Sequence, residues 1–462
     1  MIQEKLLVIG AGPGGYVAAL RGAQLGFEVT VVEKDRVGGV CLNVGCIPTK
    51  ALLSATELGH DAARAGAMGV IADVRYDLEK LDAFRESCVK KLTGGVEFLL
   101  KKNGVNLVKG EASFTGPDRI SVGGQEFAFD HAIVASGSSP IEIPGFPFDG
   151  ERIITSTEAL SVREIPKSLL IIGAGVIGLE IATIYARLGS RVEIIEMMPG
   201  CLPGMDRDIV RLAEAEIKKL GVKFNFSATA SSCSGSGEGL CVEFTCAGEA
   251  RKTNAEKVLV CVGRRPSSAG LGLDLAGVET TEKGFIRVNE SMGTTNPRVF
   301  AIGDVVGGPL LAHKASAQGL EVVENLAGIS SGKRFRFIPG VVYTDPELAS
   351  VGATEDELTG AGVPIKIGKF PFAANGRAVA MGKTSGFAKI IAHADTDEIL
   401  GAHLAGPHVS EMIAELALAM ESGVKASELG RVVHPHPTLS EAVMEAAEDV
   451  HSAAVHIFRM QA

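Results

Sequence analysis

The stretch LLVIGAGPGGYVAALRGAQLGFEVTVVEK, from Leu6, returns at Leu169 as LLIIGAGVIGLEIATIYARLGSRVEIIEM. Each copy runs apolar strand, Gly-x-Gly-x-x-Gly, helix, short turn, apolar strand, acid. The triplets are Gly10, Gly12, Gly15 and Gly173, Gly175, Gly178, with Gly14 beside the first. In both copies a glutamate, Glu33 or Glu196, lies 23 positions beyond the first glycine. A lone triplet says little; this full pattern, used twice, marks two dinucleotide-binding modules. The first glycine makes the tight turn, the second lets backbone approach a pyrophosphate, and the third lets helix and strand pack closely. The phosphates then meet the free N–H groups and positive dipole end of a helix. Each glutamate can accept from a ribose diol. A carboxylate at Glu196 repels a 2′-phosphate, and Met197 and Met198 supply no cation, so NAD is expected there rather than NADP. Two modules in one chain suggest FAD and NAD(H) exchanging a hydride.

The 462 residues exceed what one core can hold, so several domains are expected. The fold class is α/β: two Rossmann-like dinucleotide-binding domains plus a C-terminal α+β dimerisation domain. We place the FAD-binding domain at 1–149 and the NAD-binding domain at 150–276. A central segment, 277–337, returns to the FAD domain, with Asp304 ending a strand near cofactor phosphates or ribitol. The interface domain takes 338–462, where the pattern changes to alternating strands and two long helices. A net charge of −10 without any basic block argues against nucleic acid or an acidic membrane surface as partner. The run Leu169–Ala186 is nearly long and apolar enough to cross a bilayer, but glycines interrupt it and Glu180 sits inside it. A buried parallel strand followed by a buried helix produces the same run. The first strand begins within a few residues of Met1, which leaves no room for a leader. A cytoplasmic location is expected, or a mitochondrial matrix one if a leader has been removed.

Eight cysteines in so long a chain do not form a disulfide scaffold. Cys241 and Cys246 sit in an alternating pattern, where residues five apart face opposite ways on a strand. With Cys88, Cys201, Cys233 and Cys261 they read as packed thiols. Cys41 and Cys46, in GGVCLNVGCIPTKALL, have the same separation in a different setting. In an undistorted helix their Cα atoms would stand roughly 8–9 Å apart, and a disulfide needs about 4.4–6.8 Å. A bridge therefore requires an irregular turn, which Gly45 and Pro48 permit. A metal site lacks a second ligand pair, and no metal is expected. A redox pair fits better. Cys46 near a helix start would have its thiolate stabilised, and Lys50 lies on the same helical face.

GGVCLNVGCIPTKALL resembles the redox segment of the flavoprotein disulfide reductases, in particular the branch that oxidises dihydrolipoamide for 2-oxo acid dehydrogenase complexes. VCVGRRP, FAIGDVVGGPLLAHKA, VVYTDPELASVG, GKFPFAANGRA and VVHPHPTLSEAV resemble further segments of that family in the same order. Val40 and Thr49 depart from it, where threonine and serine are usual.

The resemblance implies that Cys41 exchanges with substrate while Cys46 faces the flavin. It implies that His436, oriented by Glu441, is the base; the rival His434 is read as a loop or packing histidine. It places Lys50 near the flavin ring with Glu180 as partner. It places Gly110, Ser136, Gly137, Asp304 and the stretch Leu310, Leu311, Ala312, His313 on FAD, and Gly263 on NAD. His436 is implied to serve the cysteines of the other subunit of a homodimer. Lipoyl domains and an acyltransferase core are the implied partners. Glutathione reductases usually take NADPH, against Glu196. Mercuric and large thioredoxin reductases carry a C-terminal redox group that the ending HIFRMQA lacks. The alternatives are a related flavin reductase with another disulfide substrate, or a chain that is chiefly a docking subunit.

Overall fold

In a computed structural model of the chain, residues 4–237, 239–329 and 336–458 are described; the last four residues of the HIFRMQA ending lie outside them. The helices that carry the motifs are, in chain order, α1 Pro13–Leu25, α2 Gly39–Val44, α3 Cys46–Arg64, α4 Val176–Arg187, α5 Arg207–Lys219, α6 Ala312–Leu326, α7 Val409–Glu421 and α8 Glu441–Asp449. The chain divides into two units. The first gathers residues up to Glu164 and those from Val260 through α6. The second gathers Ile165–Leu259 and the C-terminal stretch containing Phe337 and beyond.

The first unit is built on a five-stranded parallel sheet in the order Val299–Ala301, His131–Val134, Lys5–Ile9, Glu28–Glu33, Asn106–Lys109. Leu6, Leu7, Val8 and Ile9 are each no more than 4% exposed. A continuous apolar run is what a central strand covered on both faces requires. Helices α1 and α6 cross closely: a Cβ on Gly14 would stand 3.1 Å from the Ala315 carbonyl oxygen, and one on Gly319 would stand 2.8 Å from that of Gly14. The chain from Val299 to α6 therefore completes this unit.

The second unit holds the repeated module and an antiparallel domain. Ser168–Ile172 lies parallel to Arg191–Ile195, which lies parallel to Lys223–Asn225. Ser168 pairs with Arg191 as Lys5 pairs with Glu28, so both modules advance in the same register. The run Leu169–Ala186 resolves into this strand and α4, and no described helix is long and apolar enough to cross a membrane. The antiparallel sheet has the order Gly340–Val342, Glu347–Gly352, Ile399–Gly406, Phe387–His393, Ile365–Pro371. Helices α7 and α8 bury their apolar faces on it, enclosing Phe370, Phe372, Ile390, Leu404, Leu416 and Val443. Each such side chain contributes roughly 1.5–3 kcal/mol when fully buried.

Candidate active site

The glycine turn of the first unit is held from behind by Glu33. Its Oε2 accepts from Ala11 N at 2.7 Å and its Oε1 from Asp35 N at 2.8 Å. Gly10 has φ +100°, and its Cβ would meet the Ala135 carbonyl oxygen at 2.5 Å, so only glycine makes this turn. Gly12, the N-cap of α1, differs: the nearest atom to its Cβ would be Gly39 Cα at 3.9 Å. Packing alone does not require glycine at Gly12, and the open backbone there leaves room for a ligand to approach. Gly110, whose N–H donates to the Glu33 carbonyl, and Gly137 adopt φ of +153° and +73° nearby in sequence to the adjoining strands. Leu311 caps α6, so Leu310, Leu311, Ala312 and His313 form the entry to that helix.

A buried polar network lies in the same unit. Ser138 Oγ donates to Asp304 Oδ2 at 2.5 Å and accepts from Arg264 Nε at 2.7 Å. Arg264 Nη2 also donates to the Ser138 carbonyl at 2.6 Å. Lys314 Nζ donates to the carbonyls of Gly303 and Gly307. Burial pulls both cations below their ordinary pKa ranges, and Asp304 opposes it. Ser136 Oγ is buried and has no protein partner. A buried Lys314 and a half-buried Arg264 near one carboxylate, an orphan hydroxyl and an open glycine N-cap fit an anionic dinucleotide such as FAD. Arg264 and Lys314 were not among the expected site residues. GRRP and LLAHKA contained them, but nothing in the spacing says that they are buried.

Gly45 interrupts the helix between Cys41 and Cys46: α2 ends at Val44 and α3 begins at Cys46. A Cβ on Gly45 would stand 2.9 Å from the Val40 carbonyl oxygen and 3.3 Å from Cys41 Cα. Thr49 ties the break shut, its Oγ1 donating to the Gly45 carbonyl at 2.6 Å, and Asn43 Nδ2 donates to the carbonyls of Val37 and Gly39. Both cysteines are thiols here, Cys41 half-buried and Cys46 exposed. The Cys41 thiol is held far above its usual range, first by its side-chain hydrogen bond with Cys46, then by burial and the Cys46 charge, against the pull of Lys50. Tyr16 on α1 is pushed up by burial and then by these two sulfurs, so it stands beside the pair. Arg264 also stands within electrostatic range of Cys46.

The remaining cysteines differ. Cys241 and Cys246 share the strand Gly239–Cys246, opposite Ser234 and Ala228. Burial drives Cys201 up to about 12, which leaves an inert thiol. The described residues contain no cluster of three or more side chains able to hold a metal.

In the second unit Glu196 repeats the role of Glu33, Oε2 accepting from Ala174 N and Oε1 from Met198 N, both at 2.7 Å. Gly173 has φ +111°. Gly175 caps α4, and its Cβ would meet nothing within 4 Å. Gly178 is buried in α4. Glu180, 4% exposed, accepts from Tyr343 N at 3.0 Å. Gly263 falls in the first unit, its carbonyl accepting from Ile141 N at 3.2 Å.

The two histidines of HPHPTLSE are set apart by their surroundings. The His436 side chain is 76% exposed, with Nδ1 on Glu441 Oε1 at 2.8 Å. Glu441 Oε2 accepts from Thr438 N at 2.7 Å. Burial pushes the Glu441 carboxyl up, but the Thr438 N–H and His436 outweigh it and hold the group below the usual carboxylate range. The His434 side chain is 4% exposed, with Nδ1 on the Val432 carbonyl at 2.8 Å and Nε2 on Glu415 at 2.9 Å. Both of its nitrogens are engaged, and only His436 presents one to solvent.

Two nucleotide modules, a cysteine pair across a helix break and an antiparallel C-terminal domain define a class. The chain belongs to the pyridine nucleotide-disulphide oxidoreductases: that family's model matches residues 4–319, and the model of its dimerisation domain matches 338–447. It uses FAD and NAD. Within the class it is 51% identical over 455 residues to dihydrolipoyl dehydrogenase of Thermus scotoductus, covering 98% of each chain. It is 46% identical over 461 residues to dihydrolipoyl dehydrogenase of Geobacillus stearothermophilus, covering 99% of this chain and 98% of that one. Among solved structures, LpdA of Mycobacterium tuberculosis matches with TM-score 0.90 at 27% identity, covering 96% of this chain and 99% of that one.

Proposed function

We propose that the chain oxidises dihydrolipoamide to lipoamide and reduces NAD+ to NADH. The observation that carries the reading is the Cys41–Cys46 pair, brought into hydrogen-bond contact across the helix break at Gly45. A dihydrolipoamide thiolate attacks Cys41 of the oxidised pair and displaces Cys46. The second substrate thiol then closes the lipoamide ring and releases Cys41 as a thiol. Two electrons pass to the cysteine pair; a base takes the proton of the attacking substrate thiol, and the proton of the second substrate thiol ends on Cys41. His436 is that base: Nδ1 is pinned by Glu441, so Nε2 takes the proton, and the Glu441 charge stabilises the imidazolium. FAD, when bound, accepts the two electrons from the dithiol and passes them on as hydride. Gly12, Ser136, Asp304, Arg264 and Lys314 would hold its phosphates and ribitol, with Glu33 on the ribose. Lys50 would supply charge near the ring. Glu196, Gly173, Gly175 and Gly178 would take NAD+.

His436 serves the cysteine pair of a second copy, which makes the homodimer the working unit; the dimerisation domain supports this. The same reading gives it a role beside lipoyl domains and the acyltransferase core of a 2-oxo acid dehydrogenase complex, in the cytoplasm, and likeness to dihydrolipoyl dehydrogenases supports that role. An anaerobic absorbance titration with dihydrolipoamide, followed by NAD+, tests the reading. A long-wavelength thiolate-to-flavin band and then NADH are expected. A flavin spectrum that responds to NADH but ignores dihydrolipoamide overturns the substrate.

A further inference from the structure

The second nucleotide module is tied to the antiparallel domain by buried charges that the reaction does not use. Lys389, on the strand Phe387–His393, is 1% exposed. Its Nζ meets Asp206 Oδ1 and Oδ2 at 3.1 and 3.0 Å, Asp208 at 3.1 Å and Glu355 at 2.6 Å. Lys369 adds a contact to Asp208 at 3.3 Å. Asp206, itself 1% exposed, caps α5 by accepting from Asp208 N at 3.1 Å. At the far end of the module, Arg187 of α4 pairs with Asp345 at 2.7 Å.

Residues 197–205 span the gap between Glu196 and Asp206. Their first turn is fixed by Met198 N on Glu196. Their middle is fixed by Leu202, 3% exposed, whose N–H donates to the Ala174 carbonyl inside the glycine turn at 3.0 Å. Their end is fixed by Asp206, and Asp206 is fixed by Lys389. The segment therefore touches the turn that receives the pyrophosphate, carries the methionines beside Glu196, and has its last anchor on another domain.

We infer that Lys389 is a positioning residue for NAD+: through Asp206 it sets the 197–205 segment against the Gly173–Gly178 turn. The inference rests on the reading of that module as the NAD site. Removing the cation leaves Asp206 buried with only backbone N–H partners, and a buried carboxylate so placed moves toward water. The segment moves with it, and the cost falls on the nucleotide rather than on the thiol substrate.

The test uses the holoenzyme and its Lys389→Met and Asp206→Asn variants. NADH affinity is read by NADH fluorescence titration, and KM and kcat are read separately for NAD+ and dihydrolipoamide. In Lys389→Met the NADH Kd and the NAD+ KM rise about tenfold, equivalent to about 1.4 kcal/mol, while the dihydrolipoamide KM stays within about twofold. Asp206→Asn keeps an oxygen to cap α5 but loses the ion pair, and shows the same split. If Lys389→Met does not fold, the Lys389→Met/Asp206→Asn double variant decides by the same readings. A folded variant with unchanged NADH affinity, or one in which both substrates weaken alike, overturns the inference. A parent enzyme that binds NADH but ignores dihydrolipoamide defeats the substrate reading alone, and the NADH titration still decides on Lys389. A parent that binds no NADH overturns both.

Discussion

Replacing each histidine of HPHPTLSE by glutamine separates a base from a brace. His436→Gln leaves a side chain that can still face Glu441, 2.8 Å away in the parent, but cannot take a proton. A positioned general base contributes about 10²–10⁴-fold, or roughly 2.7–5.5 kcal/mol of barrier at about 1.36 kcal/mol per decade. Turnover with dihydrolipoamide should fall by that factor. Because the His436 side chain is 76% exposed, unfolding should barely change. His434→Gln should behave in the opposite way. Glutamine reaches one of the two acceptors at 2.8 and 2.9 Å and abandons the other inside a pocket where the parent ring is 4% exposed. Losing the hydrogen bond to the charged Glu415 costs about 1.5–3 kcal/mol. At about 2–4 °C per kcal/mol, Tm falls by roughly 3–12 °C. Turnover per folded enzyme should stay within about tenfold, because the loop that carries His436 retains the Glu441 and Thr438 contacts. Steady-state dihydrolipoamide oxidation and calorimetry on both variants check this. A His434→Gln enzyme with normal Tm and collapsed turnover, or a His436→Gln enzyme with near-normal turnover, refutes the assignment.

Cys41→Ser should abolish dihydrolipoamide turnover while FAD stays bound, read by the flavin absorbance of the purified variant; retained turnover would move the exchange role elsewhere. Glu196→Ala should narrow the preference for NAD+ over NADP+ in kcat/KM, since it removes the charge that repels a 2′-phosphate; an unchanged ratio counts against the reading. Burial holds His403, 0% exposed and bound to Ser350 and the Ala353 carbonyl, below the usual imidazole range. A depressed folded pKa means that the unfolded chain takes up the proton first, so stability is full above about pH 6.5 and is lost as pH falls below it. Tm measured from pH 8 to pH 5 should decline on the acid side, and His403→Gln should flatten that decline.

The twice-used module was legible because it is local. Strand, glycine turn, helix and acid lie within about 30 residues, and parallel pairing one register apart fixes the span from first glycine to glutamate. The irregular turn between the cysteines was legible for the same reason: helix geometry forbids the approach that the spacing demanded, and Gly45 was the residue able to break it. The buried partners of Asp304 were not legible. Arg264 and Lys314 are ordinary basic residues in the chain, and only packing brings them to Asp304, burying Lys314 and half-burying Arg264. The same holds for Lys389, which sits in an apolar strand pattern and meets carboxylates more than 180 positions away.

By itself, then, the order of residues determined what short-range sterics and periodicity control: the α/β class, the two nucleotide turns, the acids behind them and the candidate redox pair. The tertiary structure alone decided which groups lose their water. It left Gly12 and Gly175 open where packing alone would admit a side chain, buried the His434 side chain while leaving His436 exposed, and raised the Cys41 thiol through its contact with Cys46. Those outcomes depend on desolvation and on charges brought together from distant parts of the chain, and no spacing along a sequence encodes either.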